Sequence, residues 1–94
     1  MKIVWDEAKR QDNLIKRSLD FAALDMEFFA ASVVFPAKKG RFKAVGRFGD
    51  TILAVIFAPL GREAVAVISM RKASRKERKA HDQFLQPAAA PPDR

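Results

Sequence analysis

The stretch Arg41-Phe42-Lys43-Ala44-Val45-Gly46-Arg47-Phe48-Gly49-Asp50-Thr51-Ile52-Leu53-Ala54-Val55-Ile56-Phe57-Ala58 decides the fold. Its first eight residues alternate. Phe42, Ala44, Gly46 and Phe48 fall on one side and Arg41, Lys43, Val45 and Arg47 on the other, the two-residue period of a half-buried strand. Gly49-Asp50 is a turn signal. Thr51 to Ala58 is apolar on both faces, which predicts a central strand covered on both sides. Pro59-Leu60-Gly61-Arg62 is the next turn, and Glu63 to Met70 is a third strand rich in Val and Ile. Two tight turns joining three strands predict an antiparallel meander.

Upstream, Lys2 to Trp5 reads as a short opening strand, and Asp6 as the N-cap of a helix running to about Arg17. Ser18 to Asp20 break it, and Asp20 can cap a second helix from Phe21 to about Ala30. That helix carries Phe21, Leu24, Met26, Phe28 and Phe29, so it should be deeply packed. Pro36 and Ala37-Lys38-Lys39-Gly40 read as a basic loop before the meander. Downstream, Ser74 and Glu77 have capping-box spacing and predict a last helix ending near Leu85. Its wheel places Ala73, Ala80 and Phe84 on the buried stripe, with Glu77 and His81 on the margin. Residues 86–94 have no periodicity and read as a disordered tail after a single domain spanning 1–85. The expected class is α+β, in the order β-α-α-β-β-β-α, with helices covering one antiparallel sheet.

Length and composition narrow the function. Ninety-four residues make one domain. The chain has no cysteine and one histidine, which removes thiolate zinc sites, cysteine nucleophiles and histidine clusters. Its longest apolar run is far short of the roughly 18 residues of a membrane span, and charge follows the first residues too soon for a secretory signal. A cytoplasmic protein without a membrane contact is expected. The net charge of +7 is unevenly placed: residues 1–37 sum to −1, residues 38–70 to +4 and residues 71–94 to +4. A basic C-terminal part suits a polyanion or an acidic protein partner, although solvated lysines and arginines also serve solubility alone.

Arg41, Lys43 and Arg47 share a strand face, spaced along it about as phosphates repeat along a nucleic acid; charge also protects an edge strand from aggregation. Arg71 and Lys72 stand where a strand passes into a helix N-terminus, whose amides and dipole favour a phosphate. Lys38, Lys39, Arg75 and Arg78 extend the same basic surface. Glu77 and His81, four apart, can act as an acid–base pair, while the capping box already accounts for Glu77. No glycine-rich phosphate loop, serine triad or carboxylate cluster for a metal is present, so any reaction here needs no metal and no cofactor. If this surface cleaves RNA, a base deprotonates the 2′-OH, which attacks the adjacent phosphorus. Arg71 and Arg41 stabilise the phosphorane, and an acid protonates the departing 5′ oxygen.

Ile3-Val4-Trp5-Asp6, Lys9, Asn13-Leu14, Lys16, Leu19 and Phe21 resemble the start of the BrnT-type toxins, members of the RelE-like ribonuclease group. The resemblance runs on through Arg41, Gly46 and Gly49-Asp50. It is strongest at Ile68-Ser69-Met70-Arg71-Lys72-Ala73, then Glu77-Arg78, and spans residues 3 to about 82. It implies a RelE-like fold and the toxin of a type II toxin–antitoxin pair, an endoribonuclease that inhibits translation and arrests growth. The implied partner is a BrnA-like antitoxin with a ribbon-helix-helix part, forming a heterotetramer that represses its own operon by binding operator DNA. Arg41, Arg71, Lys72, Glu77 and Arg78 match the family's polar motif positions. Where the family usually has histidine this chain has Arg17, and where it usually has an aromatic it has His81.

Two other readings remain open from the residues. One is a catalytically degenerate module that binds RNA or an acidic antitoxin segment. The other is an assembly protein that dimerises through the apolar Phe21–Phe29 segment.

Overall fold

A computed structural model describes residues 1–85; the expected tail lies outside the described residues. The elements are β1 (Lys2–Trp5), α1 (Glu7–Arg17), a 3-10 turn (Phe21–Ala23), α2 (Met26–Ala31), β2 (Val33–Pro36), a second 3-10 turn (Lys38–Gly40), β3 (Phe42–Phe48), β4 (Thr51–Leu60), β5 (Ala64–Lys72) and α3 (Arg75–Leu85). The five strands form one sheet in the order β1-β5-β4-β3-β2.

The meander stands as expected: β3 pairs antiparallel with β4, and β4 with β5. Gly49 opens the β3–β4 turn at φ +63°, a conformation hairpin turns ask for and glycine adopts without steric cost. Three features depart from the expectation. The sheet is mixed rather than antiparallel, because β1 lies parallel to β5, with Ile3 opposite Val65 and Trp5 opposite Val67. The stretch Val33–Pro36, with no strand expected and Pro36 expected to start a loop, is an edge strand antiparallel to β3. Its β-branched and aromatic residues suit a strand, and proline is tolerated on an edge because its missing donor faces outward. The expected helix over 21–30 is split. Asp20 caps the first turn by accepting from the Ala22 N–H at 2.9 Å, and Asp25 recaps the chain by accepting from the Phe28 N–H at 2.9 Å. An aspartate that binds a backbone amide in this way competes with helix continuation.

The two faces of the sheet bury different cores. On the α1–α2 face Phe21, Leu24 and Phe28 pack over Ala44, Leu53, Val55, Phe57, Val67 and Met70. Gly46 lets α2 approach, since a Cβ there would stand 3.0 Å from Ser32 Cβ and 3.2 Å from the Phe28 ring. The other face is thinner, with Val45, Ala54 and Ala73 buried and Phe35 and Ile52 against them. Here α3 lies.

The pairing of β4 with β5 slips by one residue. Ile56 is opposite Ser69 and Phe57 is opposite Val67, so Ile68 is an inserted residue, a β-bulge. A one-residue slip exchanges the faces of everything beyond it. Past the bulge Met70 joins the α1–α2 core, and Arg71, paired through Ala54 with Val45, turns to the α3 face. At the same point β1 has ended, and the β5 edge would expose its amides. Asn13 of α1 covers it: its Oδ1 accepts from the Met70 N–H at 3.2 Å, and its Nδ2 donates to the Leu19 carbonyl at 3.0 Å.

Asn13→Ala leaves a buried amide and a carbonyl without partners. The expected cost is about 1–3 kcal/mol, read as a lower urea midpoint, with Asn13→Asp, which keeps the acceptor, costing less.

Candidate active site

On the α3 face, side chains from three elements meet at one carboxylate. The capping box forms as expected: Ser74 N–H donates to Glu77 Oε1 at 2.9 Å, and Glu77 N–H donates to Ser74 Oγ at 3.1 Å. This bends Glu77 back over the start of α3 and toward the sheet. Arg71, turned to this face by the bulge, donates through Nη1 to Oε1 at 2.7 Å and through Nη2 to Oε2 at 2.8 Å. Lys43, from the middle of β3, donates through Nζ to Oε2 at 2.7 Å. The Glu77 side chain is only 11% exposed, with those of Lys43 and Arg71 about 30% exposed. The Arg71 fork, then the Lys43 ammonium and the Ser74 amide, holds the Glu77 carboxyl far below its ordinary range against the opposing pull of burial. Glu77 in turn raises the Arg71 guanidinium.

Beside this cluster opens a cleft of 310 Å³ lined by Phe35, Lys43, Ser74, Lys76, Glu77 and Ala80. Phe35 is the direct cross-strand partner of Lys43, so the two share a face. Phe35, Ser74 and Lys76 are site residues that sequence reasoning missed. Placing Phe35 needed β2, the strand hidden behind Pro36, whereas Lys76 was in plain view within the basic helix.

The other nominated residues lie elsewhere. Arg41 closes the turn before β3, two residues or about 7 Å along the chain from Lys43. Its backbone N–H donates to the Lys38 carbonyl at 3.2 Å and its carbonyl accepts from the Ala37 N–H at 2.9 Å. The structure thus puts Lys43, not Arg41, on Glu77. Lys38 and Lys39 are exposed on that turn, and Arg47 is exposed near the hairpin end of β3. Lys72 pairs with Leu53, whose side chain faces the α1–α2 core, so it leaves from the opposite side to Arg71. Arg75 is exposed at the first turn of α3, and Arg78 donates through Nη1 to the Ala73 carbonyl at 3.1 Å.

The expected wheel of α3 needs correction at two positions. His81 is not on the margin but buried at 2% exposure, with Nε2 lacking a hydrogen-bond partner and Nδ1 only 3.4 Å from Asp82 Oδ1. Phe84, expected in the buried stripe, is 68% exposed. Its ring stands against the edge-strand Phe35, at 5.9 Å between ring centres and 75° between planes. Glu77 and His81 are therefore one turn apart without forming an acid–base pair: one faces the cleft and the other the interior. Among the described residues no three His, Asp or Glu side chains gather as a metal site, and no helix is long and apolar enough to cross a membrane.

Comparison with known proteins adds the family. Residues 5–77 match the model of the ribonuclease toxin BrnT of type II toxin–antitoxin systems. Among curated proteins no match was found. Among solved structures, the chain is similar to the ribonuclease toxin BrnT of Brucella abortus, a 1.1 Å crystal structure. The two are 58% identical with a TM-score of 0.75, and the likeness covers 80% of this chain and 99% of that one. The family match runs from Trp5, the last residue of β1, to Glu77 and so takes in the Lys43–Arg71–Glu77 cluster. The chain belongs to the BrnT family of ribonuclease toxins of type II toxin–antitoxin systems.

Proposed function

We propose that this toxin is a metal-independent endoribonuclease in which Lys43 and Arg71 hold the phosphate to be cleaved. One observation carries the reading: four hydrogen bonds from three elements already converge on a single anion, the Glu77 carboxylate. A ribbon-and-helix frame that gathers an arginine fork, an ammonium and a helix-start amide around one carboxylate can do the same for a phosphate. In the free protein Glu77 fills that place. A substrate phosphate takes over Lys43 and Arg71, and the carboxylate, freed of the donors that depress its basicity, returns toward its ordinary range beside the ribose.

The reaction then follows from the chemistry of RNA. Glu77 accepts the proton of the 2′-OH, and the 2′ oxygen bonds to phosphorus. Lys43 and Arg71 neutralise the charge gathering on the phosphorane oxygens. The bond from phosphorus to the 5′ oxygen breaks, and a cleft lysine, Lys43 or Lys76, returns a proton to the leaving oxygen. The products are a 2′,3′-cyclic phosphate and a 5′-hydroxyl. DNA lacks the internal nucleophile. His81, buried beneath α3, acts here by packing rather than proton transfer. Arg41, Lys38, Lys39, Arg47, Lys72, Arg75 and Arg78 form a surrounding field that draws RNA in.

A toxin of this type has an antitoxin. We infer that it is BrnA-like, with a ribbon-helix-helix part, that it joins two toxins in a heterotetramer binding operator DNA, and that its release lets the toxin inhibit translation in the cytoplasm. The basic charge of residues 38–94 supports an acidic contact segment on that partner. The competing reading, binding without cleavage, draws on the same ion pairs, because a carboxylate so firmly held can remain in place. Purified protein that shifts RNA but leaves it intact from pH 6 to 9 would favour it.

Arg71→Ala and Lys43→Ala are each expected to lower RNA cleavage about 100-fold or more and to abolish growth arrest on expression without the antitoxin, as read by single-turnover cleavage and colony formation. Stability carries a separate signature. Because folding depresses the Glu77 carboxyl, its contribution is present above its ordinary pKa of 4.5 and fades as pH falls below that value. Glu77→Gln keeps the helix cap but not the charge, so its urea midpoint should fall less than that of the wild type between pH 6 and pH 3.

A further inference from the structure

We propose that the cleft beside Lys43 and Glu77 is a subsite for one unpaired nucleobase of the RNA, with Phe35 as its stacking platform and the exposed Phe84, edge-on to Phe35, flanking that platform. The proposal rests on the ribonuclease reading and adds to it a substrate class, single-stranded RNA.

The first observation is the character of the walls. The cleft joins a cationic side, Lys43 and Lys76, to an apolar one, Phe35 and Ala80. A nucleotide has this division, with an anionic phosphate and a flat apolar base face. The second is distance. Phe35 and Lys43 are direct cross-strand partners, so their Cβ atoms stand about 5 Å apart, within the span of one nucleotide. A phosphate on Lys43 and Arg71 therefore sets its neighbouring base over the cleft. The third is the exposed Phe84, which the core does not use. It stands edge-on to Phe35, with ring centres 5.9 Å apart. Aromatic side chains next to a positive groove are how proteins hold unpaired bases, since every base offers a π face. A base inside a duplex presents no free face, so the cleft selects single strands.

The test uses the full chain and a short single-stranded RNA, 2′-O-methylated throughout so that it cannot be cleaved, with 2-aminopurine placed at each position in turn. One position is expected to change emission on binding. Phe35→Leu should remove that change and weaken binding about tenfold, and Phe84→Ala, at an exposed position that folding does not need, should weaken it about threefold. With an abasic residue at the responding position, wild type and Phe35→Leu should bind alike. If Phe35→Leu binds the intact RNA as tightly as wild type while Lys43→Ala does not, the aromatic pair serves a protein contact and the subsite falls, with the phosphate reading left standing. If the wild type neither binds this RNA nor cleaves its unmethylated counterpart, the ribonuclease reading fails as well.

Discussion

The Glu77 carboxylate holds the functional face together. Through it the start of α3 is tied to the end of β5 and the middle of β3, three parts of the chain that share little apolar contact. The core beneath α3 is small, with Val45, Ala54 and Ala73 buried and two half-buried neighbours. A helix with so little to bury depends on polar contacts to fix where it sits. Half-buried charges held in this way offer little net stability as a set, yet removing one partner strands the others. Their value is geometric. Arg71 and Glu77 are locked fork to fork, which fixes the guanidinium plane, and a cationic site with a fixed plane is the preorganisation that phosphoryl chemistry uses.

That geometry depends in turn on a single inserted residue. Without the bulge at Ile68, the alternation begun by Val65 and Val67 would carry Arg71 to the α1–α2 core, where a guanidinium has no partner. With it, Met70 fills the core and Arg71 crosses to α3. A bulge weakens the ladder locally, and here the weakened edge is covered from the side by Asn13. The buried asparagine, which takes over the β5 edge where β1 ends, and the ion cluster on the α3 face thus flank the same bulged stretch of β5. This is the common association of bulges with functional sites, in a form where the compensating residue can be named.

The same irregularity explains what could be read in advance. The alternation from Phe42 to Phe48, the apolar run of β4 and the Ser74–Glu77 box are local patterns, and each appeared where its residues placed it. Lys43 was correctly set on the face of Val45 for the same reason. The parallel seat of β1 against β5 was not legible, because Ile3, Val4 and Trp5 say that a strand exists and nothing about which edge receives it. The bulge was not legible either, since Ala64 to Ile68 is apolar at every position and its phase cannot be told until a partner strand is present. Nor could charge and motif position tell that Lys43, two residues beyond Arg41, would be the cation that meets Glu77 beside Arg71. The wheel of α3 failed at Phe84 for a related reason: angle around a helix is local, but whether sheet lies beneath its last turn is not. Val33-Val34-Phe35 did carry a strand signal, which Pro36 masked.

Two kinds of basic residue emerge, and net charge does not distinguish them. Lys43 and Arg71 are half-buried, at fixed distances from an anion, where the local dielectric is low and each hydrogen bond counts for more than in water. The exposed lysines and arginines around them act across solvent, within a Debye length of about 8 Å at physiological salt. They can raise the rate of encounter with a polyanion, and salt weakens them. On the proposed reading the two half-buried cations act on the bound phosphate itself, where salt screens less than at the open surface. The +4 of residues 38–70 and the +4 of residues 71–94 therefore each mix a half-buried cation fixed on Glu77 with exposed ones that act across solvent.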